Sequence, residues 1–203
     1  MKNILKDIPL LTGFSASMLL IYLSFNNSEI FWYLYTAAML FLMSFVIIIE
    51  KAQEEKPSLR YVMFGLFTGL LLYGVFWMGN QLILLLNLPF HDDVLRLYRT
   101  LSPTLLWHYA VLILIIVPGE EIFWRGFIQK RLLKFISPAS SVLLSAILYT
   151  IPLLFAHNIL LIVSGIVGGL VWSWLYYWKR SLTLVILSHL VFDIMLLIIL
   201  PFN

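Results

Sequence analysis

Long apolar runs separated by short polar segments make up almost the whole chain. A transmembrane helix needs about 20 mostly apolar residues, and several runs approach or exceed that length. The seven runs are Ile8–Phe25, Ile30–Ile49, Tyr61–Leu86, Leu105–Phe127, Ser140–Phe155, Ile159–Trp178 and Leu182–Leu200. No small-residue cleavage site follows the first run, so we expect it to be a membrane span and not a signal peptide. The pattern predicts an all-α, polytopic membrane helix bundle with about seven transmembrane helices and an active site inside the bundle.

Two connectors are longer than the others, Glu50–Arg60 and Asn87–Pro103. The second mixes charged residues with leucines, which favours an amphipathic helix at the membrane interface. No polar stretch approaches the roughly 50 residues that a soluble domain needs. Residues 1–203 are therefore expected to form a single membrane-embedded domain.

Composition agrees with a membrane protein, because 62% of the residues are hydrophobic and only 11% are charged. The chain has no cysteine, which excludes disulfides, a thiolate nucleophile and a cysteine metal site. The net charge of +3 is not gathered into a basic face with interleaved aromatic residues, so we expect no nucleic-acid partner.

The positive charges are distributed unevenly between the two sets of alternate connectors. Arg96 and Arg99 fall on one set, and the other 11 of the 13 Lys and Arg residues fall on the opposite set or beside it. By the positive-inside rule the N-terminus is expected to be cytoplasmic and the C-terminus external. The bilayer is thus a partner, and the cell (plasma) membrane is the expected location.

Three charges interrupt the fourth run, in the segment "PGEEIFWRGF" from Pro118 to Phe127. A charge at the centre of a membrane helix costs about 2.5–3.5 kcal/mol, so these residues need a compensating reason. Glu121 and Arg125 are four residues apart and therefore share a helix face on which they can pair. Glu120 is rotated by about 140° from Arg125 and has no counter-ion within the helix, which makes it the candidate general base.

Polar residues also occur in two later runs. His189 and Asp193 are four residues apart in the seventh run and share a face, where each would be costly unpaired. We expect this pair to be functional. His157 follows the fifth run, and for this residue a hydrogen-bonded structural role is the alternative to a catalytic one.

These residues resemble the motifs of a known family. "EEIFWR", Glu120 to Arg125, is similar to the EExxxR signature of the CAAX protease and bacteriocin-processing family of intramembrane proteases (CPBP or Abi, with the type II CAAX prenyl endopeptidases). "HLVFD", His189 to Asp193, resembles the third family motif, HxxxN or HxxxD. His157 stands where the histidine of the second motif, FxxxH, is expected, with Leu153 in the phenylalanine position. The resemblance covers about residues 105–201, and residues 1–104 match only as N-terminal transmembrane helices.

The resemblance implies hydrolysis of a peptide bond inside the membrane, near its cytoplasmic side, in a membrane-associated or lipidated protein or peptide. The residues that it nominates as catalytic are Glu120, Glu121, Arg125, His157, His189 and Asp193. Within this set Glu120 would activate water, the two histidines would complete the site, and Asp193 would orient His189. A carboxylate and two histidines also suit a catalytic zinc ion, for which the ligands would be Glu120, His157 and His189. The sequence leaves the need for a metal open.

The depth of His157 is a difficulty for this site. If the fifth run is a straight helix, His157 lies about 26 Å from its start, nearer the outer side than Glu120. We expect a start of the fifth helix outside the hydrocarbon, a strong tilt, or a break at Pro152 to bring His157, Glu120 and His189 around one cavity.

Two other functions are compatible with the same residues. One is a catalytically silent membrane scaffold or bacteriocin-immunity protein with the family fold. The other is a small transporter that uses the residues as a proton relay, which the lack of an inverted repeat disfavours.

Overall fold

The computed structural model describes residues 4–50 and 59–202, and over these ranges the chain is helical, with no β-strand. The all-α prediction is therefore confirmed. In chain order the helices are α1 (Ile8–Asn26), α2 (Ser28–Ile49), α3 (Leu59–Leu85), α4 (His91–Leu101), α5 (Leu106–Leu132), α6 (Pro138–Ala156), α7 (Ile159–Lys179) and α8 (Leu182–Ile199).

In the described ranges, six helices are long and apolar enough to cross a membrane, namely α1, α2, α3, α6, α7 and α8. Helices α4 and α5, which meet at a bend of 98°, make a seventh candidate span when taken together. The prediction of a polytopic bundle is thus confirmed. Helix α4 occupies the connector in which the sequence predicted an amphipathic helix, and it buries Val94. Most of the connector Glu50–Arg60 lies outside the described residues, as do Lys2, Lys51 and Lys56.

An ion-pair cluster joins three helices at the amino-terminal end of the bundle. The guanidinium of Arg131, at the end of α5, pairs with Asp7 before α1 and lies 2.7 Å from Oε1 of Glu50 after α2. Lys130 Nζ lies 3.2 Å from the second oxygen of Glu50. All of these side chains are largely shielded, so the cluster fixes which helix ends lie together at this end.

The opposite end of the bundle is covered by α4 and is called the α4 end below. The side-chain amide of Asn158, between α6 and α7, donates to the carbonyl of Asp93 at 3.0 Å. The hydroxyl of Tyr98 donates to the carbonyl of Leu196 at 2.8 Å and accepts from the backbone N–H of Phe202 at 3.0 Å. These bonds attach α4 to the helices that carry the site.

Close helix contacts depend on glycines spaced four residues apart. A Cβ atom at Gly69 of α3 would lie 2.5 Å from the carbonyl oxygen of Ser188 in α8, and Gly65 is similarly tight against α8. A Cβ at Gly165 of α7 would lie 2.5 Å from a methyl group of Leu153 in α6. Small residues at this spacing let membrane helices approach closely, and here they place α6 and α8 beside the centre of the bundle.

Helix α5 is irregular where its charges lie. Two π-helical segments, Leu112–Ile116 and Trp124–Gln129, flank the α-helical turn Val117–Phe123 that carries both glutamates. Such π segments widen a helix locally and are frequent at functional sites.

Candidate active site

Glu120 is held by two tyrosines from other helices. The hydroxyl of Tyr35, on α2, donates to Oε1 at 2.6 Å, and the hydroxyl of Tyr149, on α6, donates to Oε2 at 2.9 Å. Glu120 is 7% exposed and both tyrosines are buried. The carboxylate is thus stabilised by two hydrogen bonds and not by an in-helix cation.

Sequence reasoning missed both tyrosines. Tyr35 is 85 residues from Glu120 along the chain, and Tyr149 is 29 residues away. The sequence gives only a weak indication of this contact. A tyrosine inside an apolar span needs a hydrogen-bond partner for its hydroxyl, but the positions of the residues along the chain do not identify that partner.

Glu121 forms the pair with Arg125 that the four-residue spacing predicted. Nη1 of Arg125 lies 3.0 Å from Oε1 of Glu121, and both side chains are fully buried. The guanidinium also lies 4.7 Å from the centre of the Tyr149 ring and 5.5 Å from that of Trp172. A desolvated cation over two aromatic faces gains cation–π stabilisation in addition to the ion pair.

His189 bonds to Glu121 in preference to Asp193. Its Nδ1 lies 2.6 Å from Oε1 of Glu121, while its Nε2 lies 3.7 Å from Oδ2 of Asp193. The imidazole stacks on the indole of Trp172, with ring centres 3.7 Å apart. The expectation that Asp193 fixes the ring therefore needs correction, because the residue at hydrogen-bond distance is Glu121. Asp193 lies on the other edge of the ring.

A cavity of about 450 Å³ connects these groups. Most of its wall is apolar or aromatic and comes from the half of the bundle nearest the α4 end. The polar site residues on its wall are Tyr35, Glu120, Tyr149, His189 and Asp193. The structure thus brings together Glu120, His189 and Asp193, three of the residues nominated from the sequence, with Glu121 and Arg125 packed directly behind them.

His157 is not brought to this cavity. It is exposed, has a left-handed backbone with φ of 50°, and ends α6 at the α4 end. The last turns of α6, Ile151–Ala156, are a 3₁₀-helix that begins beside Pro152, and at about 2 Å per residue it carries the chain roughly 12 Å further along. The break at Pro152 therefore extends the helix and does not return His157 to Glu120. The predicted convergence of three side chains is wrong for His157.

The positions of α6 that face the cavity lie one helical turn earlier. Tyr149 and Leu153, four residues apart, both line it. Tyr149 and Leu153 thus place a tyrosine and a leucine on the cavity wall at the four-residue spacing of the FxxxH motif. The assignment of His157 as the histidine of that motif, with Leu153 in the aromatic position, stays a prediction, and in the structure Leu153 and not His157 lines the cavity.

The possible zinc ligands were Glu120, His157 and His189. Within residues 4–50 and 59–202, no three His, Asp or Glu side chains are arranged to hold a metal ion. The cause is again the position of His157 at the α4 end. The residues present do not fit the zinc site that the motifs suggested.

Fold and site together define a multi-pass helical membrane protein with a carboxylate and an imidazole on the wall of a cavity within the bundle. Residues 102–195, just under half of the chain, match the family of type II CAAX prenyl endopeptidase Rce1-like proteins. The matched segment contains Glu120 through Asp193, and it confirms the family resemblance that the motifs predicted. No curated protein and no solved structure matches the chain.

Proposed function

We propose that this protein is an intramembrane endopeptidase that cleaves a membrane-associated or lipidated protein, with Glu120 as the base that activates water. The main support is that Glu120 lies on the wall of an apolar cavity with both carboxylate oxygens fixed by phenolic hydroxyls. The family match supports the reaction class. A carboxylate held in this way keeps one orientation on the cavity wall.

The reaction is a direct hydrolysis. A water molecule bound to Glu120 gives a proton to the carboxylate while its oxygen forms a bond to the carbonyl carbon of the substrate. The carbonyl electron pair moves to the oxygen and gives a tetrahedral oxyanion. Glu120 then returns the proton to the amide nitrogen, the C–N bond breaks, and a new carboxyl and a new amino terminus leave.

His189 is the candidate donor to the oxyanion. Its Nδ1 is occupied by Glu121, which leaves Nε2 as the edge that can meet a ligand. With a proton on each nitrogen, Nε2–H donates to the oxyanion, and Asp193 lies 3.7 Å from the same nitrogen. Glu121 is a positioning residue, and Arg125 neutralises the charge that Glu121 places behind the ring.

The test compares new protein termini in membranes that contain the wild-type chain or Glu120→Gln. Glu29→Gln is the matched control, because Glu29 is exposed in the first turn of α2. The proposal expects a set of termini present with the wild type and with Glu29→Gln and absent with Glu120→Gln. Termini that persist with Glu120→Gln would overturn it.

A second function is supported by one observation. The cavity wall carries one histidine, His189, and not the two that the motifs predicted, as expected of a scaffold or immunity protein that binds an apolar segment without cleaving it. This alternative predicts that neither the wild type nor Glu120→Gln generates new termini, while both retain the same bound proteins.

We further propose that the protein lies in the plasma membrane with a cytoplasmic N-terminus, on the basis of its Lys and Arg distribution. The ion-pair cluster lies at the amino-terminal end, and the cavity lies in the other half of the bundle. In this orientation the cavity is in the outer half of the membrane. The sequence predicted both a cytoplasmic N-terminus and a site near the cytoplasmic side, and this fold does not allow both. We retain the cytoplasmic N-terminus and give up the cytoplasmic position of the site.

A further inference from the structure

Asn80, on α3, is a buried polar residue that the proposed reaction does not use. It is 7% exposed, lines the cavity, and has no hydrogen-bond partner for its Oδ1 among the described residues. A buried carbonyl oxygen without a hydrogen-bond partner costs about 1–3 kcal/mol. The apolar side chains of the neighbouring helices have no donor that could bond to it. An asparagine kept at this cost is expected to have a partner that enters the cavity.

The polar groups around the cavity do not supply that partner. Tyr98 is occupied by Leu196 and by the backbone of Phe202. Tyr35 and Tyr149 both donate to Glu120.

The neighbouring residue leaves room for a ligand. Gly79 lines the cavity, and a Cβ atom added there would have no heavy atom within 4 Å. The cavity wall at this point therefore consists of helix backbone and the Asn80 carboxamide, next to open space. A larger residue in place of Gly79 would project into that space without displacing another part of the protein.

The chemistry of the carboxamide indicates what it binds. It presents one carbonyl acceptor and an NH₂ donor, which is the complement of a peptide group with its N–H and C=O. An extended polypeptide has such groups exposed along its length, whereas a hydrocarbon chain has none. We propose that Asn80 binds the main chain of the polypeptide segment in the cavity whose wall also carries Glu120, and that Gly79 makes room for it. This inference rests on the proposed function.

The experiment measures binding and cleavage separately. A fluorescent apolar peptide, and the same peptide with methylated backbone nitrogens, are titrated into the Glu120→Gln protein in detergent, with and without Asn80→Leu. Loss of one or two hydrogen bonds should weaken binding of the unmodified peptide about tenfold. Backbone methylation should weaken binding to the protein that has Asn80 and make little difference after Asn80→Leu.

Stability distinguishes this role from a structural one. If Asn80 only supports the fold, Asn80→Leu lowers the unfolding temperature. Our inference expects an unchanged or higher temperature, because the substitution removes an unsatisfied buried group. Equal peptide binding before and after Asn80→Leu, as expected if water alone satisfies the amide, would overturn the inference.

Gly79→Leu gives an independent test, with Gly74→Leu as its matched control. Both glycines are on α3 and a Cβ at either meets no atom within 4 Å, but only Gly79 lines the cavity. Gly79→Leu should abolish peptide binding and Gly74→Leu should preserve it, and equal binding by the two would contradict the inference. Peptide binding is measured in the absence of cleavage. Binding that depends on Asn80 would therefore support this inference even if the wild-type protein cleaved no substrate.

Discussion

Nδ1 of His189 lies 2.6 Å from Oε1 of Glu121, and this oxygen also accepts the hydrogen bond from Arg125 at 3.0 Å. The second glutamate of the motif therefore links the arginine on its own helix to the histidine on α8. Glu120, one residue earlier, faces the cavity and is bound by tyrosines. Adjacent glutamates thus have different surroundings, and this difference leads to the first prediction.

Glu121→Gln is expected to destabilise the protein, whereas Glu120→Gln should stay close to wild type in stability. The first leaves the buried Arg125 without its counter-ion, a change that typically costs about 3–5 kcal/mol. The second retains an oxygen that can accept from one of the two tyrosines. Thermal unfolding in detergent checks this, and equal losses of stability in the two variants would contradict the division of roles.

Tyr35→Phe and Tyr149→Phe should each reduce turnover per folded molecule by about tenfold or more, since each removes a hydrogen bond to a charged carboxylate. Tyr33→Phe is the control, because Tyr33 is 62% exposed. If all three substitutions leave the cleavage rate equal to wild type, the tyrosines do not position Glu120.

Leu153→His is expected to raise the cleavage rate, because it places an imidazole on the cavity wall one turn after Tyr149. His157→Ala should leave the rate close to wild type, since His157 is exposed and outside the cavity. The rates are compared per folded molecule. Loss of activity in His157→Ala would show that the α4 end rearranges to bring this histidine to the site.

Single cysteines report the orientation directly, because the chain has none of its own. Glu29→Cys lies at the α4 end and Ser137→Cys at the amino-terminal end, and both positions are exposed. With a cytoplasmic N-terminus, an impermeant maleimide added to intact cells should label the first, and should label the second only after permeabilisation. The reverse pattern would place the cavity in the cytoplasmic half.

Local sequence patterns predicted the features that depend on neighbouring residues. Apolar length gave the six helices that can each cross a membrane within a few residues, and the four-residue spacing of Glu121 and Arg125 gave their pair. The contacts of Glu120 with Tyr35 and Tyr149 were not predictable, because they depend on how three helices pack. The prediction that His157 joins Glu120 and His189 failed for a related reason. A motif fixes the order of residues along a helix, but it does not predict the 3₁₀ turns that carry His157 out of the site.

Cleavage by purified protein in liposomes tests the central claim most directly. The substrate is a peptide that contains a cleavage site found in the membrane experiment, and the rate per folded molecule is compared for wild type, Glu29→Gln and Glu120→Gln. If Glu120 activates the water, Glu120→Gln should be slower by about a hundredfold or more, with peptide binding retained, while Glu29→Gln matches the wild type. Cleavage by Glu120→Gln at the wild-type rate would contradict the account.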